Sequence, residues 1–360
     1  MSEREERPAR VVHWGTGNTG TMGLKGILGH PDLELVGCFV ARPERAGQDA
    51  GELIGRPRVG VTTTNDVDEL LAIDADCLSY FGAGRDGIAD VTQFLAAGRN
   101  VVTTSLASLI LAQFAPEEQR APVEAACRAG NSSLFATGVE PGVASDLFPE
   151  TLLSLVDEVD CIHVTEIAIY RHAGGASMRM FGFGIPAGEP VPLFASGAVT
   201  GLWGQVVHHL AGALGKQLDS IELQTDTFVT DRDVEMEFGK ILRGQIAAVR
   251  FQVIGMYEGK PLAIVEHVSR TAYDQAPEWP YGAIGKDTVY TIDIEGRPPL
   301  RCELDLPNVD GEDSGLVSTA MRAINAIPAV VGAPAGILDP MDVPPRPSRK
   351  VRLGHAMVRR

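Results

Sequence analysis

Over about the first 140 residues, short apolar runs alternate with stretches of helical spacing, as a parallel α/β sheet requires. The runs predict strands at Val11–Trp14, Leu33–Val40, Ala75–Phe81, Asn100–Thr104 and Ser133–Ala136, with a weaker one near Val59–Val61. Helices are predicted over Thr19–Leu28, Val67–Leu71, Gly87–Ala97 and Pro116–Ala129. Gly98 and Gly130 fall where a helix end needs a left-handed residue.

After about residue 156 the period changes to strict alternation, which reads as an antiparallel sheet with one covered face. The alternating segments are Cys161–Tyr170, Ile221–Val229, Ala247–Met256, Leu262–Arg270, Thr288–Ile294 and Leu300–Leu306. Helices are predicted near Ala198–Leu214 and Asp233–Leu242. A last amphipathic helix covers Leu316–Ala326, with Pro328 ending it. The expected organisation is an α/β chain with an N-terminal doubly wound parallel domain over 1–150. An α+β domain with a mostly antiparallel sheet follows over 151–314. The helix segment 315–343 and a loose basic tail, 344–360, complete it.

Composition is that of a globular chain, with 44% hydrophobic and 22% charged residues among 360. The formal net charge of -16 sets a field that repels nucleic acid and anionic membranes, so neither is expected as a partner. No window supplies the ~18 uncharged apolar residues of a membrane span, and Ser2–Arg10 lacks the apolar core of a signal peptide. The cysteines Cys38, Cys77, Cys127, Cys161 and Cys302 are scattered, without metal-site or disulfide spacing. These features point to a cytoplasmic protein.

The most informative segment is Gly15-Thr16-Gly17-Asn18-Thr19-Gly20, between the first strand and first helix. Gly15 would make the tight turn, Gly17 would admit a pyrophosphate, and Gly20 would let helix and strand pack closely. The helix N-terminus favours the phosphates. The second strand then ends at Arg42 rather than at an acid, about 20 residues on, where the ribose-reading residue stands. Arginine suits a 2′-phosphate, and Arg45 would assist, so NADP is preferred and NAD is the alternative, with Glu44 as its ribose partner.

The opening Val11–Gly20 resembles that of the dihydrodipicolinate-reductase-like oxidoreductases, in particular the branch of 2,4-diaminopentanoate dehydrogenase and the native amine dehydrogenases. The segments Ala41–Gly51, Asn100–Thr104, Gly138–Gly142 and Asn325–Pro328 fit the same branch. The resemblance implies a Rossmann domain, a substrate domain whose sheet builds a homodimer, and a final helix that returns to the first domain. It implies reversible hydride transfer between a nicotinamide and a C–N centre, with a small amine, imine or carbonyl substrate. There is one departure. The glutamate that amine-dehydrogenase relatives carry after the Val-Val-x-Thr strand is absent from Thr103–Ser108, while their Gly-x-Asn-Pro-Gly loop reads Gly138-Val139-Glu140-Pro141-Gly142.

Ligands in such sheets bind beyond the carboxyl ends of the strands. Thr103 and Thr104 lie there, as partners of the nicotinamide ribose or carboxamide, or as plain strand-end caps. Glu140 would accept from the carboxamide, move a proton or hold an amine; the alternative is a turn residue. Tyr170, on one strand face with Glu166, Ala168 and His172, is a candidate proton donor or a structural ring. Phe181, Phe183 and Trp203 are candidates for an apolar wall. The reading is a nicotinamide-dependent oxidoreductase acting on a C–N centre. The alternatives are a carbonyl reductase without nitrogen chemistry and a non-catalytic NADP-binding protein.

Overall fold

The computed structural model describes residues 7–82, 86–170, 175–195, 197–236, 239–283, 287–309 and 311–351. The chain divides into two compact units, Met1–Gly138 with Leu316–Arg360, and Val139–Gly315. The first begins with β1 (Ala9–Trp14), α1 (Asn18–Ile27), β2 (Leu33–Phe39), β3 (Thr63–Thr64), α2 (Val67–Leu71) and β4 (Cys77–Tyr80). It continues with α3 (Gly87–Ala96), β5 (Asn100–Thr103), α4 (Glu117–Gly130) and β6 (Ser133–Ala136). The second holds α5 (Leu147–Leu153), β7 (Glu158–Ile169), α6 (Gly175–Phe181), α7 (Pro192–Ala195), α8 (Ala198–Ala213) and β8 (Ser220–Val229). After these come β9 (Val234–Met236), β10 (Gly239–Ile241), β11 (Ile246–Tyr257), β12 (Lys260–Arg270), β13 (Thr288–Arg297) and β14 (Leu300–Leu306). The chain closes with α9 (Ser314–Val331) and β15 (Gly336–Ile337).

The first sheet runs β15-β6-β5-β4-β1-β2-β3, with every pairing parallel. Its 3-2-1-4-5-6 core is the doubly wound Rossmann order. Inward residues of α1 and α9 pack on one face with Val11, Cys38, Val102 and Phe135. Those of α3 and α4 pack on the other with Val12, Leu78, Val101 and Leu134.

Four local expectations differ from the structure. The strand expected at Val59–Val61 forms at Thr63–Thr64, because the buried Asp49 carboxylate takes the N–H groups of Val59 (3.1 Å) and Gly60 (2.8 Å) out of reach of the sheet. The left-handed residue after α4 is Asn131 (φ 49°), not Gly130; a Cβ on Gly130 would stand 1.8 Å from the Leu95 carbonyl oxygen of α3. Pro328 does not end α9. An internal proline costs ~3 kcal/mol. Carrying the helix on buries Val330, worth ~1.5–3 kcal/mol, and gives its carbonyl the Ser133 hydroxyl at 2.9 Å. By length and composition α9 is also long and apolar enough to cross a membrane (mean hydropathy 1.2); its inward face is part of the core just described.

The fourth is Asp233–Leu242, expected as a helix and found as the hairpin β9–β10. Val234 and Ile241 pair and are both buried, and Lys240 meets Asp233 at 3.0 Å and Glu235 at 3.1 Å across the ladder. Alternation over three residues a strand outweighs the helical spacing read there.

The unit boundary also falls earlier than residue 150. Val139, Val143 and Ala144 pack with Tyr290, Leu304 and Leu306, so this loop belongs to the second unit. Among its described residues, the expected loose tail meets the domain through Arg349, which pairs with Asp32 at 2.9 Å.

The second sheet runs β14-β13-β7-β12-β11-β8, antiparallel except for β7–β12. Alternation sends Ile162, Val164, Val249, Phe251, Val253 and Val265 to one face, under the buried stripe of α8.

Candidate active site

In the first unit the glycine loop borders a cavity of about 320 Å³ whose lining includes Gly15, Thr16, Gly17, Asn18, Arg42 and Arg45. The three glycines have separate reasons. Gly15 has φ +112°, and a Cβ there would stand 2.4 Å from the Phe81 carbonyl oxygen. A Cβ on Gly20 would stand 2.3 Å from the Gly15 carbonyl oxygen. Around Gly17 a Cβ would meet no atom of the described residues beyond its chain neighbours within 4 Å, so their packing does not require this glycine. Such an open backbone at a helix N-terminus with no acid in its first turn fits a bound pyrophosphate.

A paired substitution separates these reasons. Gly17→Ala should leave the melting temperature within about a degree while weakening nicotinamide dinucleotide binding by tenfold or more. Gly20→Ala should lower the melting temperature by several degrees, since its clash is with backbone. Calorimetry and cofactor titration of both variants check this.

The loop is held from beneath by His13, which the sequence reading passed over. Its Nε2 donates to the Gly15 carbonyl at 2.7 Å and its Nδ1 faces the Ser79 hydroxyl at 3.2 Å. Burial pushes the imidazole down to about 4, so it is neutral and Ser79 is the donor to Nδ1.

Arg42 is exposed at the end of β2, and Thr63 holds the backbone of Arg45 through a 2.7 Å bond to its carbonyl. Thr19 and Gly20 stand in the first turn of α1, behind the cavity lining. Thr103 is buried and its hydroxyl accepts the Ser105 N–H at 3.0 Å, which leaves its own proton to donate. Thr104, next to it, is half-buried.

The second unit builds a cluster of ionisable groups across its sheet. Register sets Glu166 of β7 beside His267 of β12 on one side and Tyr290 of β13 on the other, and Phe251 of β11 beside His267. Glu140 reaches in from the loop before α5. Its Oε1 is 3.4 Å from His267 Nε2, and Glu166 Oε1 is 3.5 Å from His267 Nδ1. Tyr170 donates to Glu166 Oε1 at 3.5 Å. These separations are long for hydrogen bonds and act chiefly as charge contacts. The imidazole stacks on Phe251 (4.7 Å, 10°) and meets Trp203 edge-on at 4.6 Å. Phe181 and Phe183 flank Tyr170 at 5.1 and 6.1 Å. His172 lies outside the described residues.

The charges follow from burial and pairing. The Glu140 side chain is 1% exposed, and among the described residues its Oε2 has no hydrogen-bond partner within bonding geometry, although the Ser145 hydroxyl acts on the carboxyl. Burial pushes its carboxyl above the usual range, and His267 opposes that rise. Burial by itself would lower His267; Glu166 and Glu140 together outweigh it and raise the imidazole to about 9. One imidazolium thus falls short of offsetting burial for Glu140, while two carboxylates more than offset it for His267. Tyr170 and Tyr290 are held well above the ordinary phenol value, by burial first and then by Glu166.

Glu140 and Tyr170 were expected as candidates and the structure brings them into one cluster. His267 and Tyr290 were missed. The signal for His267 was the pair Glu266-His267 inside the apolar run Leu262–Ser269, which sends one ionisable group to each face of a buried strand.

Comparison with known proteins bears on what this arrangement serves. The family model described as the 2,4-diaminopentanoate dehydrogenase C-terminal domain matches residues 146–351. An amine dehydrogenase of Streptomyces virginiae is 35% identical over 350 residues, covering 94% of this chain and 97% of that one. This chain belongs to the amine dehydrogenase and 2,4-diaminopentanoate dehydrogenase family. The 2,4-diaminopentanoate dehydrogenase of Acetoanaerobium sticklandii is 24% identical, with 93% of each chain covered. The structure of an amine dehydrogenase from Mycobacterium smegmatis shares the fold, with a TM-score of 0.76 at 20% identity over 97% of this chain and 99% of that one. Like its relatives, this member of the family is a nicotinamide-dependent oxidoreductase.

Proposed function

We propose that this protein catalyses the reversible, NADP-linked conversion of a small amine to a ketone and ammonia. The observation that carries the proposal is the buried Glu140 carboxylate, whose Oε2 is unpartnered among the described residues, in a cluster of two glutamates around a single imidazolium. With both carboxylates ionised such a cluster bears one net negative charge, and an ammonium is its chemical complement.

A bound nicotinamide would accept or deliver the hydride. The chain's own work is to hold the dinucleotide at the glycine loop and to manage the proton. An ammonium must lose a proton before its carbon can release a hydride, and Glu140 accepts it through Oε2. In the reverse direction Glu140 returns it to nitrogen. Gly15, Thr16, Gly17, Asn18, Thr19, Gly20 and Arg42 hold the cofactor in this reading, and Thr104 meets its ribose or carboxamide. Arg42 and Arg45 border the cavity and Glu44 does not, which supports NADP over NAD.

A homodimer through the second sheet is part of the proposal. The face opposite α8 carries interlocked charges, His163 to Glu266 at 2.8 Å and Arg301 to Asp293 at 2.7 Å. The free cysteines and the acidic net charge support a cytoplasmic setting without nucleic acid or membrane partners.

The test is NADPH oxidation by a panel of small ketones with and without ammonium. Turnover that requires ammonium is expected. Turnover on carbonyls alone would favour the reductase reading, and tight NADPH binding without turnover would favour a non-catalytic protein.

A further inference from the structure

We propose that His267 and Glu166 are positioning residues that set the proton affinity of Glu140: His267 supplies its counter-charge, and Glu166 keeps His267 charged. This rests on the reading of Glu140 as the proton acceptor. The geometry is a line, Glu140 Oε1 to His267 Nε2 at 3.4 Å and His267 Nδ1 to Glu166 Oε1 at 3.5 Å. A neutral imidazole has one donor and one lone pair, so one of its nitrogens would aim a lone pair at a carboxylate oxygen. Both contacts are favourable only for the imidazolium. The ring is fixed by the Phe251 stack and the Trp203 edge, so it cannot turn away to relieve that repulsion without leaving both aromatic contacts.

The groups facing this line come from every element around it. Glu166 comes from β7 and Tyr170 from just past its end, Tyr290 from β13, Glu140 and Ser145 from the loop before α5, and Ser269 from β12. Asp313 acts on Tyr170 from farther along the chain. The described residues of α8 and β11 that touch the ring are Trp203 and Phe251, which carry no charge. Both tyrosines stay neutral through the working range, since burial and Glu166 hold them high. The titration that governs Glu140 is therefore that of His267. A general base works best with a pKa near the operating pH. Burial raises Glu140 and the imidazolium opposes that rise.

The experiment is the pH profile of kcat/KM for the full chain with ketone, ammonium and NADPH. Wild type should lose activity as pH rises past about 9, where His267 gives up its proton. In Glu166→Gln the basic limb should move down by about 1–3 units, because the nearest opposite charge is gone. Glu166→Asp should restore it in large part. In His267→Asn the acid limb should move up by about 1–3 units, as Glu140 loses its counter-charge. A purely structural role would change turnover and leave the limbs in place. Limbs unmoved in both charge-removing variants would overturn the proposal.

A titration of the His267 ring by NMR in the unmodified protein needs no variant to fold. An imidazolium persisting to about pH 9 is expected, and a neutral ring at pH 7 overturns the proposal. Failure here differs from failure of the functional reading. If Glu140→Gln keeps wild-type turnover, both fall; if it abolishes turnover while the limbs stay fixed, this inference alone falls.

Discussion

Glu140→Gln is expected to lower kcat by about 10²–10⁴-fold while leaving NADPH affinity unchanged. The substitution keeps the size of the side chain and removes its charge and its capacity to take a proton. The magnitude is that of a lost general base, and two features place it toward the upper end. The side chain is 1% exposed, so no bulk water replaces it as proton acceptor. Among the described residues of the cluster, the other carboxylate, Glu166, is already committed to His267 and Tyr170. The variant should also fold. An amide oxygen can still accept from His267 Nε2, and the net charge of the cluster rises from minus one to zero, which removes like-charge repulsion with Glu166. The measurement is ammonium-dependent NADPH oxidation at saturating ketone, paired with NADPH titration by fluorescence. Turnover within threefold of wild type would remove Glu140 from the chemistry.

The parallel domain was legible in the sequence because its signals are local. A strand, a glycine loop and a helix in succession carry their own geometry, and the expected Ser133–Ala136 and Val67–Leu71 match the structure residue for residue. Failures came where a distant partner decides. Asp49 captures the N–H groups of Val59 and Gly60 from a neighbouring loop, which no window over Val59–Val61 can reveal. Ser133 receives the carbonyl of Val330, nearly two hundred residues away, and helps carry α9 past Pro328. The site divides in the same way. The glycine loop was visible as a pattern, whereas the cluster exists only through strand register. Glu166 and His267 are about a hundred residues apart and become neighbours because β7 and β12 pair in parallel. The sequence placed Tyr170 and Glu166 on one face, since period-two alternation suffices for that. It could not supply His267, whose relation to Glu140 depends on three separate elements.

Arg42→Ala should weaken NADP by about tenfold to a hundredfold and leave NAD within about twofold. A hydrogen bond to a charged group is worth about 1.5–3 kcal/mol, and tenfold in affinity is about 1.4 kcal/mol. The two cofactors differ only at the 2′ position, so the ratio isolates the contact from any general damage to the fold. Arg42 is exposed and caps the start of the short helix Pro43–Arg45 through its backbone, so removing its side chain should cost little stability. Arg45 borders the same cavity and its backbone is fixed by Thr63, so part of the charge remains after the first substitution. Removing both arginines should therefore abolish the preference, and raising ionic strength should erode it in wild type, since the contact faces solvent. Equal losses of NADP and NAD in Arg42→Ala would assign the residue to the fold of the loop rather than to a 2′-phosphate. A loss confined to NADP would place the selectivity on the one position where a family of Rossmann domains ordinarily carries an acid and this chain carries a base.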